Sequence, residues 1–278
     1  MLRERIEVKS PGQIRLMRRA GLVTAAGLEA MGAAAEPGVT TAELDRIGRE
    51  VLAEHGATSN FLDYGADWGY PPYPGVACIS VNEVVVHGIP GERVLAAGDI
   101  VSIDFGAVVE GWHGDAARTF EVGEVDEASR ALSEATRRAM WDGIARIRAG
   151  ARVGDVSHGV ESSVGSHGLS YGILRGYTGH GIGTAMHQPP DVPNAGRPHR
   201  GPRIVAGMCL CVEPMVTLGG EDVVELDDGW TVVTRDSSRA AHWENTVAVM
   251  PDGLWVLTEP DGGRGRLAEL GVPFAGLD

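Results

Sequence analysis

An internal repeat constrains the fold of this chain more than any other feature of its sequence. Residues 37–56 match residues 149–168 at a constant offset of 112 positions, with Pro-Gly or Ala-Gly at the start and His-Gly at the end of each segment. Residues 97–104 match residues 206–213 at an offset of 109 positions. Two nearly equal offsets predict two similar halves that pack around a pseudo-twofold axis, with a site at the seam between them.

Each half is predicted to contain two helices followed by strands. Ser10-Pro11 has the pattern of the N-cap and first residue of a helix, and the capping-box pattern of residues 40–43 starts a second helix, which ends at His55-Gly56. In the second half, residues 127–147 form an amphipathic pattern, and Asp155 is predicted to cap the following helix. The same pair of helices therefore opens both halves.

Strands and boundaries complete this α+β prediction. The fourth helix is predicted to end at His167-Gly168, and the strands of the first half to span residues 76–86, 100–109 and 112–122. We expect a single domain over residues 1–278, with halves at about 10–125 and 126–258. Residues 259–278 lie outside both halves and are predicted to form a loosely held tail.

The charge and cysteine content exclude several classes of function. The chain of 278 residues has 24 Lys+Arg and 38 Asp+Glu, and its net charge of −14 argues against nucleic acid or an anionic membrane as a partner. Lys9 is the only lysine, which argues against Schiff-base chemistry and a phosphate-binding lysine loop. Three cysteines without framework spacing and no apolar N-terminal segment predict a location in the cytoplasm.

Two acidic residues of the first half are predicted to lie side by side on one face of a hairpin. A two-residue turn at residues 110–111 places Asp104 opposite Ala117 and Asp115 opposite Gly106. Asp104 and Asp115 then share a face as diagonal neighbours, with Cβ atoms about 7 Å apart. Because like charges in a buried sheet repel each other, a divalent cation between them is the expected solution.

The second half supplies three further candidates for the same site. Glu213 and Glu244 lie within apolar strand patterns, and His180 lies in Gly-His-Gly-Ile-Gly, where the glycines allow close approach of the backbone to a ligand. Four carboxylates and one histidine suit Mn, Fe(II) or Co better than a structural zinc site. With two bridging carboxylates, such a set could hold two metal ions about 3.5–4 Å apart.

The site residues belong to a longer series of motifs along the chain: Asn82-Glu83-Val84-Val85-Val86-His87-Gly88-Ile89-Pro90, Asp104, His113-Gly114-Asp115, Gly179-His180-Gly181-Ile182-Gly183, His187, Glu213-Pro214 and Trp243-Glu244. In their identity and order these motifs resemble those of the type I methionine aminopeptidases, and the resemblance covers residues 5–258. The resemblance implies the pita-bread fold, an α+β architecture of two pseudo-twofold-related helix-helix-strand halves around a central curved antiparallel sheet with the helices outside. It also implies removal of the initiator methionine by water that two divalent metals activate at the first peptide bond.

The resemblance assigns a role to each candidate residue. It implies five metal ligands: Asp104, Asp115, His180, Glu213 and Glu244. Asp115 and Glu244 would bridge the metals, and Glu213 would help to activate the water. His87 and His187 would contact the substrate and stabilise the oxyanion. The methionine side chain would enter an apolar pocket formed by Tyr73, Cys78 and Trp230.

The remaining expectations concern the metals, the partners and the alternatives. The cofactors would be two divalent ions of Co, Mn, Fe(II) or Zn. The substrates would be peptides and nascent-protein N-termini with a small second residue, because the space between two packed halves is narrow. We expect a monomer that acts at the ribosome, without specificity for nucleic acid and without binding to a membrane. The alternatives are a proline-directed aminopeptidase of the same fold and a non-catalytic pita-bread binding protein.

The sequence departs from the family pattern beside several of these positions. Met186, Gln188 and Asn245 replace residues that are commonly Phe, an acid and His, and Cys211-Val212 replaces a Thr-Ile pair. The segment 63–74 is longer than usual. No departure removes a proposed ligand, so we expect effects on pocket shape and rate rather than on reaction type. Cys211 is predicted to share the strand face of Glu213, behind it.

Overall fold

The structure is a computed structural model that describes residues 6–166 and 170–277. Its first half opens with two helices, α1 (Pro11–Ala33) and α2 (Thr41–Glu54). A short 3-10 helix at Ala66–Trp68 follows the first of five strands, which are β1 (Thr58–Ser59), β2 (Ala77–Val81), β3 (Val84–Val86), β4 (Ile100–Val109) and β5 (Trp112–Glu121). This is the predicted order of two helices and then strands.

The second half repeats the order and ends in a short helix. It begins with α3 (Glu127–Ile144) and α4 (Val153–Gly165). Its strands are β6 (Gly172–Ile173), β7 (Gly179–Gly181), β8 (Gln188–Val192), β9 (Cys209–Val212), β10 (Met215–Thr217), β11 (Val223–Glu225), β12 (Val232–Thr234), β13 (Ala240–His242), β14 (Asn245–Met250) and β15 (Gly253–Val256). The last helix is α5 (Arg264–Glu269). Among the described residues, no helix is long and apolar enough to cross a membrane.

Helix starts follow the predicted caps with one exception. Ser10 caps α1 with a reciprocal capping box to Gln13, and the Thr40 hydroxyl accepts a hydrogen bond from the backbone N–H of Glu43 at 3.1 Å. The prediction that Asp155 is the N-cap of α4 was wrong. The cap is Arg152, and Asp155 lies three residues further on, where its carboxylate accepts from the Arg152 backbone N–H at 2.8 Å. A carboxylate in the first turn satisfies a free N–H from either position, which explains the shift.

Helix ends differ slightly from the pattern. Helix α3 ends at Ile144 rather than at residue 147, because the last residues tighten into turns in which the Ile147 N–H donates to the Ile144 carbonyl at 2.9 Å. Helix α4 ends at Gly165. Its predicted end at His167-Gly168 lies outside the described residues.

The β4–β5 hairpin has the register that the sequence predicts. Asp104 pairs with Ala117 and Gly106 pairs with Asp115 in one uninterrupted antiparallel ladder. The turn residues Glu110 and Gly111 have φ values of 52° and 79°, which is the left-handed backbone that a two-residue hairpin turn requires. The two acidic residues therefore lie on one face of the sheet, as expected.

Antiparallel sheets from the two halves meet at the seam. Strand β4 lies between β1 and β2 and also pairs with β5, whereas β15, β14, β9, β7 and β8 form a five-stranded sheet in the second half. The backbone N–H of Glu244 donates to the Ala117 carbonyl at 3.0 Å, and the Thr246 hydroxyl donates to the Asp115 carbonyl at 2.7 Å. These hydrogen bonds join the acidic residues of one half to those of the other.

The repeat is visible in the turns that lead to the acidic strands. Gly98 before β4 and Gly207 before β9 both have positive φ, at 97° and 92°. Helices α1 and α2 pack on the sheet of the first half, where Phe105 and Ile103 are fully buried. In the second half, Trp141 of α3 packs in a core with Leu210 and Val247. The α+β arrangement with helices outside the sheets is therefore confirmed.

The C-terminal segment is packed, so the expectation of a loosely held tail was wrong. Leu267 of α5 is fully buried. The backbone N–H of Leu254 donates to the Pro273 carbonyl at 2.9 Å, and the Ala275 N–H donates to the Leu254 carbonyl at 2.9 Å. The Arg18 guanidinium from α1 donates to the Pro260 carbonyl at 2.8 Å. The segment thus holds α1 against the outer edge of the second half.

Candidate active site

A cavity of about 440 Å³ lies between the two halves, and its lining residues fall between positions 61 and 115 in one half and between positions 176 and 244 in the other. All ten site residues predicted from the sequence line it: His87, His187, Glu213, Tyr73, Cys78, Trp230, Asp104, Asp115, His180 and Glu244. The structure therefore brings the predicted set together at the seam.

Strand ends and strand interiors position the five predicted ligands. Asp104 and Asp115 project from β4 and β5, and His180 is the middle residue of β7. Glu213 directly follows β9, and Glu244 occupies the break between β13 and β14. Since these strands are apolar and buried on their other faces, the backbone around each functional side chain is held by packing.

Three carboxylates form a tight cluster, in which Asp115 and Glu244 are buried and Asp104 is partly buried. Oxygen atoms of Asp104, Asp115 and Glu244 lie within 4.8 Å of one another. One oxygen of each is buried without a hydrogen-bond partner: Oδ1 of Asp104, Oδ1 of Asp115 and Oε1 of Glu244. Orphaned acceptors at this depth are costly, so the donor set fits a divalent cation bound among them.

The pKa values of these acids are raised by their burial, and those of Asp115 and Glu244 also by repulsion from neighbouring carboxylates. Burial raises the pKa of Asp104 to about 6, against a small opposing effect of His242. Burial, and next the negative charge of Glu244, raise the pKa of Asp115 well above its usual range. The pKa of Glu244 is raised well above its usual range by burial and then by Glu213. A cation between the acids would relieve both the desolvation and the repulsion.

His180 presents a neutral imidazole nitrogen to Glu213. Its Nδ1 donates to the Gly181 carbonyl at 3.0 Å, which leaves the lone pair of Nε2 free on the cavity side. That Nε2 lies 3.4 Å from Oε1 of Glu213. Burial, and then the neighbouring His187, lower the pKa of His180 to about 3. The imidazole is therefore neutral near pH 7, as metal binding requires.

Cys211 lies behind the acidic cluster on the face that the strand period predicts. Its sulfur and ligand atoms of His180 and Glu244 lie within 4.8 Å of one another. The Cys211 Sγ contacts the Thr246 hydroxyl at 3.4 Å, and the side chain is fully buried. Burial, with smaller contributions from the acids, raises the pKa of Cys211 well above its usual range, so the group is a thiol.

The predicted substrate pocket is aromatic and apolar. The Tyr73 hydroxyl donates to the Gly88 carbonyl at 2.9 Å, which fixes the ring beneath the cavity. The rings of Tyr73 and Trp230 are 5.4 Å apart and nearly perpendicular. Cys78 is buried in the same cluster. His87 adopts a left-handed backbone, with φ of 58°, and its ring lies 6.1 Å from that of Trp230.

The cavity is also lined by residues that the sequence did not identify, among them three aromatic side chains and a fourth histidine: Phe61, Tyr64, Tyr177 and His242. The Tyr64 hydroxyl is hydrogen-bonded to Nδ1 of His187. Tyr64 belongs to the unusually long segment 63–74, whose Pro71 carbonyl accepts from Nε1 of Trp230 at 2.7 Å. The extra length of that segment was the signal that could have drawn attention to Tyr64.

Comparison with known proteins agrees with this geometry. Residues 15–251 match metallopeptidase family M24. The chain is 52% identical to a methionine aminopeptidase 1 of Mycobacterium tuberculosis over 255 residues, which are 90% of this chain and 94% of the relative. A crystal structure of methionine aminopeptidase from Thermotoga maritima superposes with a TM-score of 0.87 at 40% identity, over 92% of this chain and 100% of that chain.

The fold and the site thus define a metallopeptidase of the pita-bread class. The chain belongs to metallopeptidase family M24, and within that family to the methionine aminopeptidases, which confirms the resemblance seen in the sequence. An Xaa-Pro dipeptidase from Bacillus anthracis shares the fold, with a TM-score of 0.69 at 24% identity, but this chain covers 62% of it. The proline-directed alternative is therefore not favoured.

Proposed function

We propose that this protein is a methionyl aminopeptidase, which removes the N-terminal methionine from peptides and new proteins whose second residue is small. One observation carries the proposal. A cluster of carboxylates with buried, unpaired oxygens lies in the same cavity as a pocket whose aromatic and sulfur-containing side chains suit a thioether. The membership of the family supports the same activity.

Five residues would hold two divalent ions: Asp104, Asp115, His180, Glu213 and Glu244. Asp115 and Glu244 come from opposite halves, which are joined here by hydrogen bonds from the Glu244 backbone N–H to the Ala117 carbonyl and from the Thr246 hydroxyl to the Asp115 carbonyl. The family resemblance implies that these two carboxylates would serve both ions. Oxygen-rich donors with one imidazole suit Mn, Fe(II), Co or Zn. When bound, such ions supply Lewis acidity to the scissile carbonyl and to water.

Glu213 is the proposed proton acceptor. It lies at the end of β9, is almost fully buried, and burial raises the pKa of its carboxyl well above the usual range. A carboxylate held at this depth can take a proton from the attacking water and deliver it to the leaving amine. The apolar strand around it excludes bulk water, which strengthens each polar contact that the substrate makes.

His87 and His187 are the proposed hydrogen-bond donors to the substrate. Burial lowers the pKa of each to about 4, so both imidazoles are neutral near pH 7. With the Tyr64 hydroxyl as the donor to Nδ1 of His187, the ring proton would lie on Nε2. A neutral donor can stabilise the oxyanion that forms on the carbonyl without introducing another charge.

The pocket accounts for the choice of methionine. The Tyr73, Cys78 and Trp230 side chains form its wall, with Met186 and Phe61 in the same buried cluster. Aromatic edges and sulfur atoms make favourable contacts with a thioether. Because the cavity closes between two packed halves, we propose that a large second residue does not fit beyond the scissile bond.

We propose that the chain acts as one catalytic domain. The Arg118 guanidinium, from the first half, donates to Oδ1 of Asn245 at 2.8 Å and pairs with Glu259 at 2.7 Å, which supports a single cooperative unit. We also propose a monomer that acts on nascent chains at the ribosome in the cytoplasm. Its net charge of −14 is consistent with recognition of the peptide rather than of RNA.

Cleavage of three short peptides tests the proposed activity. The metal-loaded protein should cleave Met-Ala-Ser, leave Met-Leu-Ser almost intact, and leave Ala-Pro-Ala intact. Release of the first residue is followed by chromatography. Preferred cleavage of Ala-Pro-Ala would instead support the proline-directed alternative, and no cleavage of any peptide by fully metal-loaded protein would support a non-catalytic binding protein.

A further inference from the structure

A fourth imidazole, that of His242, faces the cavity beside those of His87, His180 and His187. His242 is the last residue of β13 and is 2% exposed. Its Nε2 is buried and has no hydrogen-bond partner. A buried, unpartnered nitrogen is unusual in a packed protein, and here it belongs to a residue type that binds metals.

The backbone holds His242 firmly in place. Its N–H donates to the hydroxyls of Ser102 and Thr119, both at 3.1 Å. Within the sheet, His242 pairs with Met215, which lies two residues beyond Glu213. The imidazole is therefore anchored from both halves on the Glu213 side of the carboxylate cluster.

Each carboxylate oxygen of Glu213 lies near one imidazole nitrogen. Nε2 of His242 lies 3.7 Å from Oε2 of Glu213, and Nε2 of His180 lies 3.4 Å from Oε1 of the same carboxylate. Both separations exceed the roughly 2.7–3.2 Å of an ordinary N–H···O hydrogen bond. Two donor atoms at about 2.1 Å from a shared metal ion lie about 3.0 Å apart at a ligand–metal–ligand angle of 90° and about 3.6 Å apart at 120°, so the two gaps are close to those of ligands that share one cation.

We propose that His242 is a sixth protein ligand of the metal centre and binds through Nε2 on the Glu213 side. The proposal rests on the metal site proposed above and extends its ligand set. A second imidazole makes the donor set softer. It should therefore favour Fe(II), Co or Zn over Mn and Mg more strongly than four carboxylates and one imidazole would.

X-ray absorption of the Co(II)-loaded protein tests this assignment directly, because imidazole ligands produce a distinct outer-shell signal. The variants are His242→Gln, His180→Gln as the positive control, and His158→Gln, which removes an exposed imidazole from α4. We expect one imidazole fewer in His242→Gln and in His180→Gln than in wild type, and no change in His158→Gln. Calorimetric titration should show Co(II) affinity weakened about 10–100-fold in His242→Gln.

The outcomes separate this inference from the proposed metal site. An unchanged imidazole count in His242→Gln would overturn the inference, even with weaker Co(II) binding, since His242 would then only orient Glu213. A wild-type protein that binds no Co(II) would contradict the metal site itself. If His242→Gln does not fold, as judged by circular dichroism, the wild-type spectrum decides alone, because a single imidazole contradicts the inference and two support it.

Discussion

At the scale of single residues, a neighbouring tyrosine contacts His187, a proposed hydrogen-bond donor to the substrate. The Tyr64 hydroxyl is bonded to Nδ1 of His187, and the two rings are 5.3 Å apart in an edge-to-face arrangement. Burial raises the pKa of Tyr64 to about 12, so the hydroxyl stays protonated throughout the physiological range and is able to donate to Nδ1. We therefore propose that Tyr64, a residue outside the motifs of the family, sets the tautomer of His187.

Replacement of Tyr64 by Phe should lower kcat/KM for Met-Ala-Ser on the order of tenfold. The ring and its contact with Trp68 remain, but the proton of His187 is no longer restricted to Nε2. The matched control is a double-mutant cycle with His187→Ala, in which Tyr64→Phe should cost nothing further. An equal loss with and without His187 would show that Tyr64 acts by another route.

His87 should make the stability of the fold depend on pH. Its pKa of about 4 lies below the unfolded value of about 6.5, so the unfolded chain binds the proton first as the pH falls. The titration of His87 leaves the free energy of unfolding unchanged above pH 6.5, lowers it progressively as the pH falls below 6.5, and has no further effect below about pH 4. At 1.36 kcal/mol for each unit of pKa difference, the loss in the free energy of unfolding is about 3 kcal/mol at most.

Urea unfolding of wild type and of His87→Asn across this pH range measures the effect. Asparagine tolerates the left-handed backbone of this position, so the variant isolates the imidazole. The difference between the two free energies of unfolding should change between pH 6.5 and 4 and be constant above. A constant difference throughout would mean that the folded and unfolded pKa values of His87 are equal.

The sequence could identify the acidic residues but not every side chain around them. Asp104 and Asp115 follow from the period of two in a strand and from the length of one turn, and both rules are local. His242 and Tyr64 enter the cavity through tertiary packing of a short strand and a long loop, and no local period marks them. Asp155 was misplaced because a carboxylate can serve the start of a helix from two positions.

At the scale of elements, the close packing of α1 on the hairpin and on the C-terminal segment depends on glycines at the points of contact. A Cβ at Gly21 would lie 2.2 Å from the Leu257 carbonyl oxygen, and one at Gly114 of β5 would lie 2.6 Å from the Gly21 nitrogen. Both obstacles are backbone atoms, which cannot rotate away. The helix therefore sits closer to the hairpin that carries the two acids than a chain with alanines would allow.

Gly21→Ala should destabilise the fold by about 1–3 kcal/mol, because backbone must shift to admit one methyl group. Gly12→Ala, in the first turn of the same helix with open space around it, is the matched control and should raise stability by up to about 1 kcal/mol. Chemical denaturation measures both. Equal effects of the two substitutions would contradict close packing at Gly21.

At the scale of the whole molecule, the duplication predicted the seam and hence the place of the site. The β4 and β9 strands begin after equivalent positive-φ glycines and deliver Asp104 and Glu213 to the same cavity. The C-terminal segment has no counterpart in the repeat, which is why the sequence suggested a loose tail. Its buried contacts, such as that of Leu267, involve residues distant in sequence and leave no periodic signal.

The packing of this segment predicts that it contributes to global stability. Leu267→Ala should lower the free energy of unfolding by about 2–5 kcal/mol, because it empties a fully buried position. Leu62→Ala, at a side chain that is 42% exposed, is the control and should change it by less than about 0.5 kcal/mol. A Leu267 variant as stable as wild type would restore the interpretation of a loose tail.

The dependence of peptidase activity on metal content tests the central claim most directly. Protein stripped of metal with a chelator is titrated with Mn, Fe(II), Co or Zn, and cleavage of Met-Ala-Ser is measured against metal bound per chain. We expect no activity in the metal-free protein, recovery that levels off near two equivalents, and no recovery in Asp104→Asn, which lacks one cluster carboxylate. Full activity of exhaustively metal-free protein would contradict a metal-dependent peptidase.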